Sequence, residues 1–204
     1  MSKKSFFIII FFFILYFIVY SFSYSYSISK ELKSNIFRLH IIANSNSDVD
    51  QDLKLFIRDN IINYLNQFSF KNKAELIEFL NTHKSEIENI VQKSISEKGF
   101  TYSFSISIGT SFFPQKIYSN ITMPSGVYDG LQIKLGKASG KNWWCVLFPP
   151  MCLIDSTTCE LPNESKSILT ESINQETYSI LTSKSPSYQF KFKIIDWINN
   201  LSNS

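Results

Sequence analysis

The chain has 204 residues, of which 44% are hydrophobic and 18% are charged, and its formal net charge is +3. This length is enough for one ordinary domain with additions. The small net charge and the lack of a Lys/Arg cluster argue against a nucleic-acid partner.

The N-terminus carries the clearest physical signal. Lys3 and Lys4 precede an uncharged apolar run from Phe6 to Tyr20. A bilayer core needs about 20 apolar residues, whereas a signal-peptide core needs roughly 7–15, and this run lies between the two. Serines recur at 21, 23, 25 and 27, the small residues of a cleavage site. We therefore predict that residues 1–27 form a signal peptide or an uncleaved signal-anchor, with the rest of the chain exported.

A polar connector is predicted over 28–35, followed by a strand over 36–43 that is rich in β-branched and large apolar residues. Ser47 and Asp50 have the spacing of a helix capping box. The helix that they open places its apolar residues on one face, at Leu53, Phe56, Ile57, Ile61 and Leu65. Asp48, Asp50 and Asp52 are interpreted as helix-start residues rather than metal ligands.

A second helix is predicted from Lys73 to Lys98, with Gly99 ending it and His83 packed on its apolar face. Strict alternation then predicts a strand over 102–108. A hairpin around Ser119 and Asn120 and strands over 131–135 and 143–148 follow. Helices grouped before strands indicate an α+β fold, with a mainly antiparallel sheet and two helices on one face.

Composition becomes polar from Asp155 to Ser187. The predicted organisation is therefore a signal or anchor (1–27), an α+β domain (28–155), a polar low-complexity linker (156–187), and a C-terminal strand and amphipathic helix (188–204).

Two stretches carry a resemblance to a known family. The first runs from Arg38 to Asp59 and includes Ala43-Asn44-Ser45-Asn46-Ser47-Asp48; the second includes Pro124-Ser125-Gly126-Val127-Tyr128 and Asn142-Trp143-Trp144-Cys145-Val146-Leu147-Phe148-Pro149-Pro150-Met151-Cys152. Both resemble stage II sporulation protein R. The resemblance implies a signal exported from the forespore into the space between its two membranes. There it would trigger a membrane-embedded aspartic protease of the mother cell that processes the sigma-E precursor.

The chain departs from the family pattern in its loops. Val127 stands where the family usually has Glu, and Ala138 stands where the loop before the double Trp usually has a Gly. These departures bear on loop geometry rather than on family membership.

Three cysteines leave two interpretations open. In an exported domain Cys145 and Cys152 form a candidate disulfide, which requires the chain to fold back at Pro149-Pro150. The alternative is a buried thiol at Cys145 and a free one at Cys152. Cys159 would then be unpaired in either case. The spacing of Cys and His residues predicts no metal site, and no cofactor is expected.

We predict a protein that acts by contact and is not an enzyme. The candidate partner-binding residues lie in the family motifs and the loops, at Arg38, Asn44, Ser45, Asp48, Gly126, Tyr128, Asn142, Trp143 and Trp144. The expected partners are the membrane aspartic protease and, through the N-terminal segment, the membrane itself. Two alternatives stand beside this one: a secreted cell-wall hydrolase that uses a cysteine, and a structural protein of the membrane surface.

Overall fold

The computed structural model describes residues 3–118, 120–152 and 163–183. Its elements in chain order are α1 (Lys3–Asn35), β1 (Phe37–Ile42), α2 (Asp48–Leu65), α3 (Lys73–Thr82), α4 (Lys84–Glu97), β2 (Phe104–Phe113), β3 (Lys116–Tyr118), β4 (Ile121–Met123), β5 (Gly126–Leu135), β6 (Asn142–Phe148), α5 (Asn163–Ser172) and α6 (Gln175–Thr182). The fold is α+β with an N-terminal apolar helix, as the sequence predicts.

Helix α1 is longer than the predicted apolar segment. Its most apolar 18-residue window has a mean hydropathy of 2.5 and none of that window is buried. A helix of 33 residues is about 50 Å long, whereas a bilayer core is about 30 Å thick. The predicted connector over 28–35 is wrong, because the chain stays helical there and buries Ile28 and Leu32 against the domain. Helix α1 thus has the length and composition of a signal or anchor segment and also contributes to the folded core.

Helix α2 begins as predicted. Ser47 is the N-cap of α2, and its hydroxyl accepts a hydrogen bond from the backbone N–H of Asp50. The helix predicted over 73–98 is instead divided at His83 into α3 and α4. The His83 ring stacks on Phe79 at 4.0 Å between centroids, so His83 is a packed residue as expected.

A four-stranded sheet in the order β2-β5-β1-β6 forms the centre of the domain. Strand β1 runs parallel to β5 and antiparallel to β6, while β2 is antiparallel to β5. The predicted hairpin forms a separate two-stranded sheet of β3 and β4. Two of the three pairings in the main sheet are therefore antiparallel.

The sheet has a hydrophobic core on each side. Alternate residues of β1, such as Leu39 and Ile41, pack against α2, α3 and α4 in the first core. The second core is formed by the end of α1, the β3–β4 hairpin and helices α5 and α6; it includes Leu32, Phe113, Val146, Leu169 and Leu181. Because both faces of β1 are covered, nearly the whole strand is buried.

The segment predicted as a polar linker contains two helices. Leu169 in α5 and Leu181 in α6 are fully buried, so this segment packs on the domain despite its polar composition. The predicted C-terminal strand and helix over 188–204, like Cys159, lie outside the described residues.

Candidate partner-contact surface

Two loops meet at the C-terminal end of β1. The first loop is residues 44–47, and the second loop is residues 136–141, between β5 and β6. The backbone N–H of Gly140 donates to the carbonyl of Ala43 at 2.9 Å. The side chain of Asn44 accepts from the N–H of Lys137 at 3.0 Å. These bonds join residues about 95 positions apart, so the two loops form one surface.

The second loop fits against the first only because of its glycines. A Cβ atom added to Gly140 would lie 2.1 Å from the carbonyl oxygen of Ser45, and one added to Gly136 would lie 2.3 Å from Asn44 Oδ1. Gly136 also has a φ of 53°. Ala138 has a φ of 50°, in the left-handed region that favours glycine. The chain therefore holds an alanine in a glycine-type conformation at position 138 of the second loop.

Asp50 organises the first loop from inside the protein. Its carboxylate accepts hydrogen bonds from Asn44 Nδ2 at 3.0 Å and from Ser45 Oγ at 2.5 Å. Burial by itself would raise the pKa of Asp50, but hydrogen bonds from Ser45, Asn44, Tyr102 and Ser47 outweigh it and hold the pKa below its ordinary value. Asp50 is thus a buried carboxylate that fixes the loop, a role beyond the predicted helix start.

The double Trp of the family motif lies in β6 and points to both faces of the sheet, as predicted for a strand. Trp143 packs against the first core, and the guanidinium of Arg58 stands 4.3 Å from its ring centroid. Trp144 faces the other way and stacks on His40 at 3.5 Å. Both tryptophans are half-buried, and neither is an isolated surface anchor.

His40 connects Trp144 to the second loop through Asn142. Its Nε2 lies 2.9 Å from Asn142 Oδ1, and Gln132 Nε2 donates to its Nδ1. Burial lowers the pKa of His40. The hydrogen bond to Asn142 raises this pKa, but the nearby charges of Lys134 and Arg38 lower it further, so the net shift is downward. A neutral imidazole with its proton on Nε2 satisfies both contacts.

The predicted contact residues do not form one surface. Asn44, Ser45 and Asp48 lie at or next to the first loop, and Asn142 follows the second loop. In the β1–β5 register Ile42 stands opposite Lys134, whereas Tyr128 lies six residues further back along β5, about 20 Å away. The set therefore divides between two ends of the sheet.

Arg38, Gly126 and Tyr128 are buried, so the side chains of Arg38 and Tyr128 and the backbone at Gly126 are not available for direct contact with a partner. The guanidinium of Arg38 stacks between two aromatic rings, 4.6 Å from the centroid of Phe113 and 5.3 Å from that of Tyr128. It also donates to the hydroxyl of Tyr118 at 3.4 Å. These residues hold the hairpin side of the second core together.

Cys145 and Cys152 are joined by a disulfide with a Cα–Cα distance of 5.2 Å. The pairing requires the chain to return after Phe148, and Met151 N–H bonds to the carbonyl of Val146 at 3.0 Å across that turn. A bridged cysteine has no thiolate, so neither position offers a nucleophile in this state. Within the described ranges, no group of three or more His, Cys, Asp or Glu side chains is arranged to hold a metal ion.

Comparison with known proteins assigns the family. A family model described as Stage II sporulation protein R (spore_II_R) matches residues 33–158. The chain is 31% identical over 183 residues to the Stage II sporulation protein R of Bacillus subtilis (strain 168), and the match covers 80% of each chain. The chain belongs to the stage II sporulation protein R family. Membership in this family gives the protein a role in sporulation. No solved structure matches the chain.

Sequence reasoning missed several residues of this family member's loop surface. Asp50, Gly136 and Gly140 fix the two loops, yet they were not among the predicted contact residues. Lys54, which donates to the carbonyl of Lys141 in the second loop, was missed as well. The two glycines could have been predicted from the sequence, because glycines in a loop before a buried strand often mark a place where another backbone segment approaches closely. The sequence indicates less about Lys54: it shows only a cation four residues before Arg58 on the same helix.

Proposed function

We propose that this protein is an exported sporulation signal that triggers a membrane-embedded aspartic protease, which then processes the sigma-E precursor. Family membership and the N-terminal apolar helix support this proposal at its coarser level. In the proposed location, the forespore makes the protein and exports it into the space between the two membranes. The expected partner is the protease of the mother-cell membrane.

The observation that carries the proposal is the joined pair of loops at the end of β1. Their contacts come from the family-motif residues Asn44 and Ser45 and from the second loop, which directly precedes the double Trp. Hydrogen bonds from backbone N–H groups and to the buried carboxylate of Asp50 constrain the arrangement, and the glycines allow the two loops to approach closely. A rigid surface binds with a smaller entropy cost than a mobile loop does.

The proposed mechanism is a population shift. The protease would exist as an inactive and an active state, and the active state would be the dimer. A protein ligand moves such an equilibrium only if it binds one state more tightly than the other. The loop surface is proposed to supply that difference, without any chemical step on this protein.

Co-expression in a vegetative host tests the proposal. The host would carry this protein, the aspartic protease and the sigma-E precursor, and cleavage of the precursor would be scored. We expect cleavage when this protein is exported and none when residues 3–22 are deleted so that it stays inside the cell. Intact precursor in the presence of exported protein and active protease would contradict the proposal.

A further inference from the structure

Lys54 is a buried cation without a buried counter-charge. The residue is 5% exposed, and its ammonium donates to Gln51 Oε1 at 2.6 Å and to the carbonyl of Lys141 at 3.2 Å. Both acceptors are neutral. Among the described residues, no carboxylate lies within ion-pair distance of Lys54. Fully buried lysines are rare unless they are paired, so this arrangement needs an explanation.

The charged groups that act on Lys54 are themselves cations. Burial lowers the pKa of Lys54, and the charges of Arg58 and Lys141 lower it further. Arg58 stands four residues after Lys54 on α2, where like charges repel. The sole ion pair of Arg58 in the described part of the chain is with Asp59, its neighbour in sequence, whose side chain is 47% exposed. Three cations and one carboxylate leave an excess of two positive charges.

The same place also has an unused hydrogen-bond donor. Arg58 stacks on Trp143, and the indole Nε1–H of Trp143 is buried with no acceptor among the described residues. Gln51, which accepts from Lys54, also donates to the carbonyl of Ser45 in the first loop at 2.8 Å. The cations therefore adjoin the candidate contact surface. Lys54 has only neutral acceptors there, and the Trp143 N–H has no acceptor among the described residues.

We infer that Lys54, Arg58 and Lys141, beside Trp143, bind a carboxylate side chain from an acidic segment of the protein partner. This inference rests on the proposed function, which supplies a protein as the partner. A carboxylate brings negative charge and hydrogen-bond acceptors together and would relieve the repulsion among the cations. We name this group of four residues the cationic site.

The recessed position of the cationic site favours a protein over a membrane surface. The side chain of Arg58 is 19% exposed and Lys54 is nearly covered, whereas Lys141 is exposed at the rim. A Glu or Asp side chain on a protruding segment reaches such a position. A flat layer of lipid headgroups would contact Lys141 alone.

A peptide titration tests the cationic site without the protease. The full chain in zwitterionic nanodiscs would be titrated with hexaglutamate, while the indole ¹H–¹⁵N signal of Trp143 is followed by NMR. We expect a saturable shift that weakens as salt increases, with no shift for hexaglutamine. Lys141→Glu and Lys54→Met should each weaken binding by roughly tenfold or more. Lys134→Glu, which changes another exposed lysine on the opposite face of the sheet, should bind as the unchanged protein does.

Two results would overturn the inference. One is the absence of a saturable shift with hexaglutamate, whether or not phosphatidylglycerol nanodiscs cause a shift. The other is equal binding of hexaglutamate by Lys141→Glu and Lys134→Glu. Lys141→Glu changes an exposed side chain, so this test does not depend on whether Lys54→Met folds. In the co-expression assay, Lys141→Glu should lower precursor cleavage and Lys134→Glu should not. Hexaglutamate binding by a protein that triggers no cleavage would contradict the proposed function and leave the cationic site standing.

Discussion

Asp50 serves two parts of the chain at once. Its backbone N–H is capped by Ser47, and its carboxylate holds Asn44 and Ser45. The first role follows from a spacing of three residues and was predicted. The second depends on the direction in which the chain turns after β1 and on Tyr102, which is distant in sequence, so local spacing does not reveal it.

We expect Asp50→Asn to destabilise the protein by about 1–3 kcal/mol at pH 7, because buried donors lose a charged acceptor. The pKa of Asp50 in the folded state lies below its ordinary value of 3.8. The stability that the ionised carboxylate contributes is therefore complete above pH 3.8 and is lost as the pH falls through the folded-state pKa. Urea unfolding of both proteins from pH 7 to pH 3 measures this difference. Asp52→Asn, an exposed neighbour on α2, is the control, and a difference that grows on acidification would contradict the account.

Ala138 offers a stabilising substitution. Its φ of 50° costs an L-residue roughly 1 kcal/mol or more, which glycine avoids at the expense of some unfolded-state entropy. We expect Ala138→Gly to raise the free energy of unfolding by about 0.5–1 kcal/mol. Ala74→Gly in α3 should instead lower it by about 1 kcal/mol. Urea titrations at pH 7 compare the two, and a loss of stability in Ala138→Gly would show that the loop is not strained there.

At the scale of elements, the sequence predicts α2, the hairpin and β6 well, because their signals are local. Capping, alternation and a continuous apolar run each lie within a few residues. The division of the second helix at His83 has no such signal, since neither Gly nor Pro stands there. The parallel pairing of β1 and β5 joins residues about 90 positions apart, which no local pattern encodes.

The turn after β6 depends on the disulfide between Cys145 and Cys152. We expect one reactive thiol per unfolded chain without reductant, that of Cys159, and three after reduction. Cys159→Ser should leave none before reduction and two after it. A disulfide that closes a loop between residues 7 positions apart stabilises a protein by about 2–3 kcal/mol. The Cys152→Ser protein should therefore unfold at a lower urea concentration. Three reactive thiols before reduction would contradict the bridge.

Glu31 joins the end of α1 to α6. Its carboxylate accepts from the backbone N–H of Asn174 at 2.6 Å, from the side chain of Asn174 at 2.8 Å, and from the Thr177 hydroxyl. We expect Glu31→Ala to increase amide hydrogen exchange across residues 175–182, because the start of α6 loses these acceptors. Glu78→Ala on α3 is the control. Unchanged exchange over 175–182 in Glu31→Ala would show that α6 is held by its apolar contacts alone.

At the scale of the whole molecule, the second core and the two joined loops occupy different parts of one sheet. The hairpin side is closed by Arg38, Phe113 and the helices α1, α5 and α6, which make the N-terminal segment part of the fold. The loop end presents Asn44, Ser45 and the second loop. The family motif in the sequence includes Arg38, Asn44 and Ser45. The motif does not show that Arg38 is buried while Asn44 and Ser45 lie in a surface loop. Burial in the second core depends on α5 and α6, which lie in a polar stretch without a strong apolar pattern.

Site-specific photocrosslinking shows which face of the sheet contacts the partner. Val49, at the start of α2, is 60% exposed beside the first loop, and Ile117, in the hairpin, is 66% exposed near Arg38. A photoreactive amino acid would replace each residue in turn in the exported protein, with the protease present. We expect a crosslink to the protease from position 49 and none from position 117, because the loop surface is proposed to make the contact. A crosslink from position 117 alone, or from neither position while the precursor is still cleaved, would contradict it.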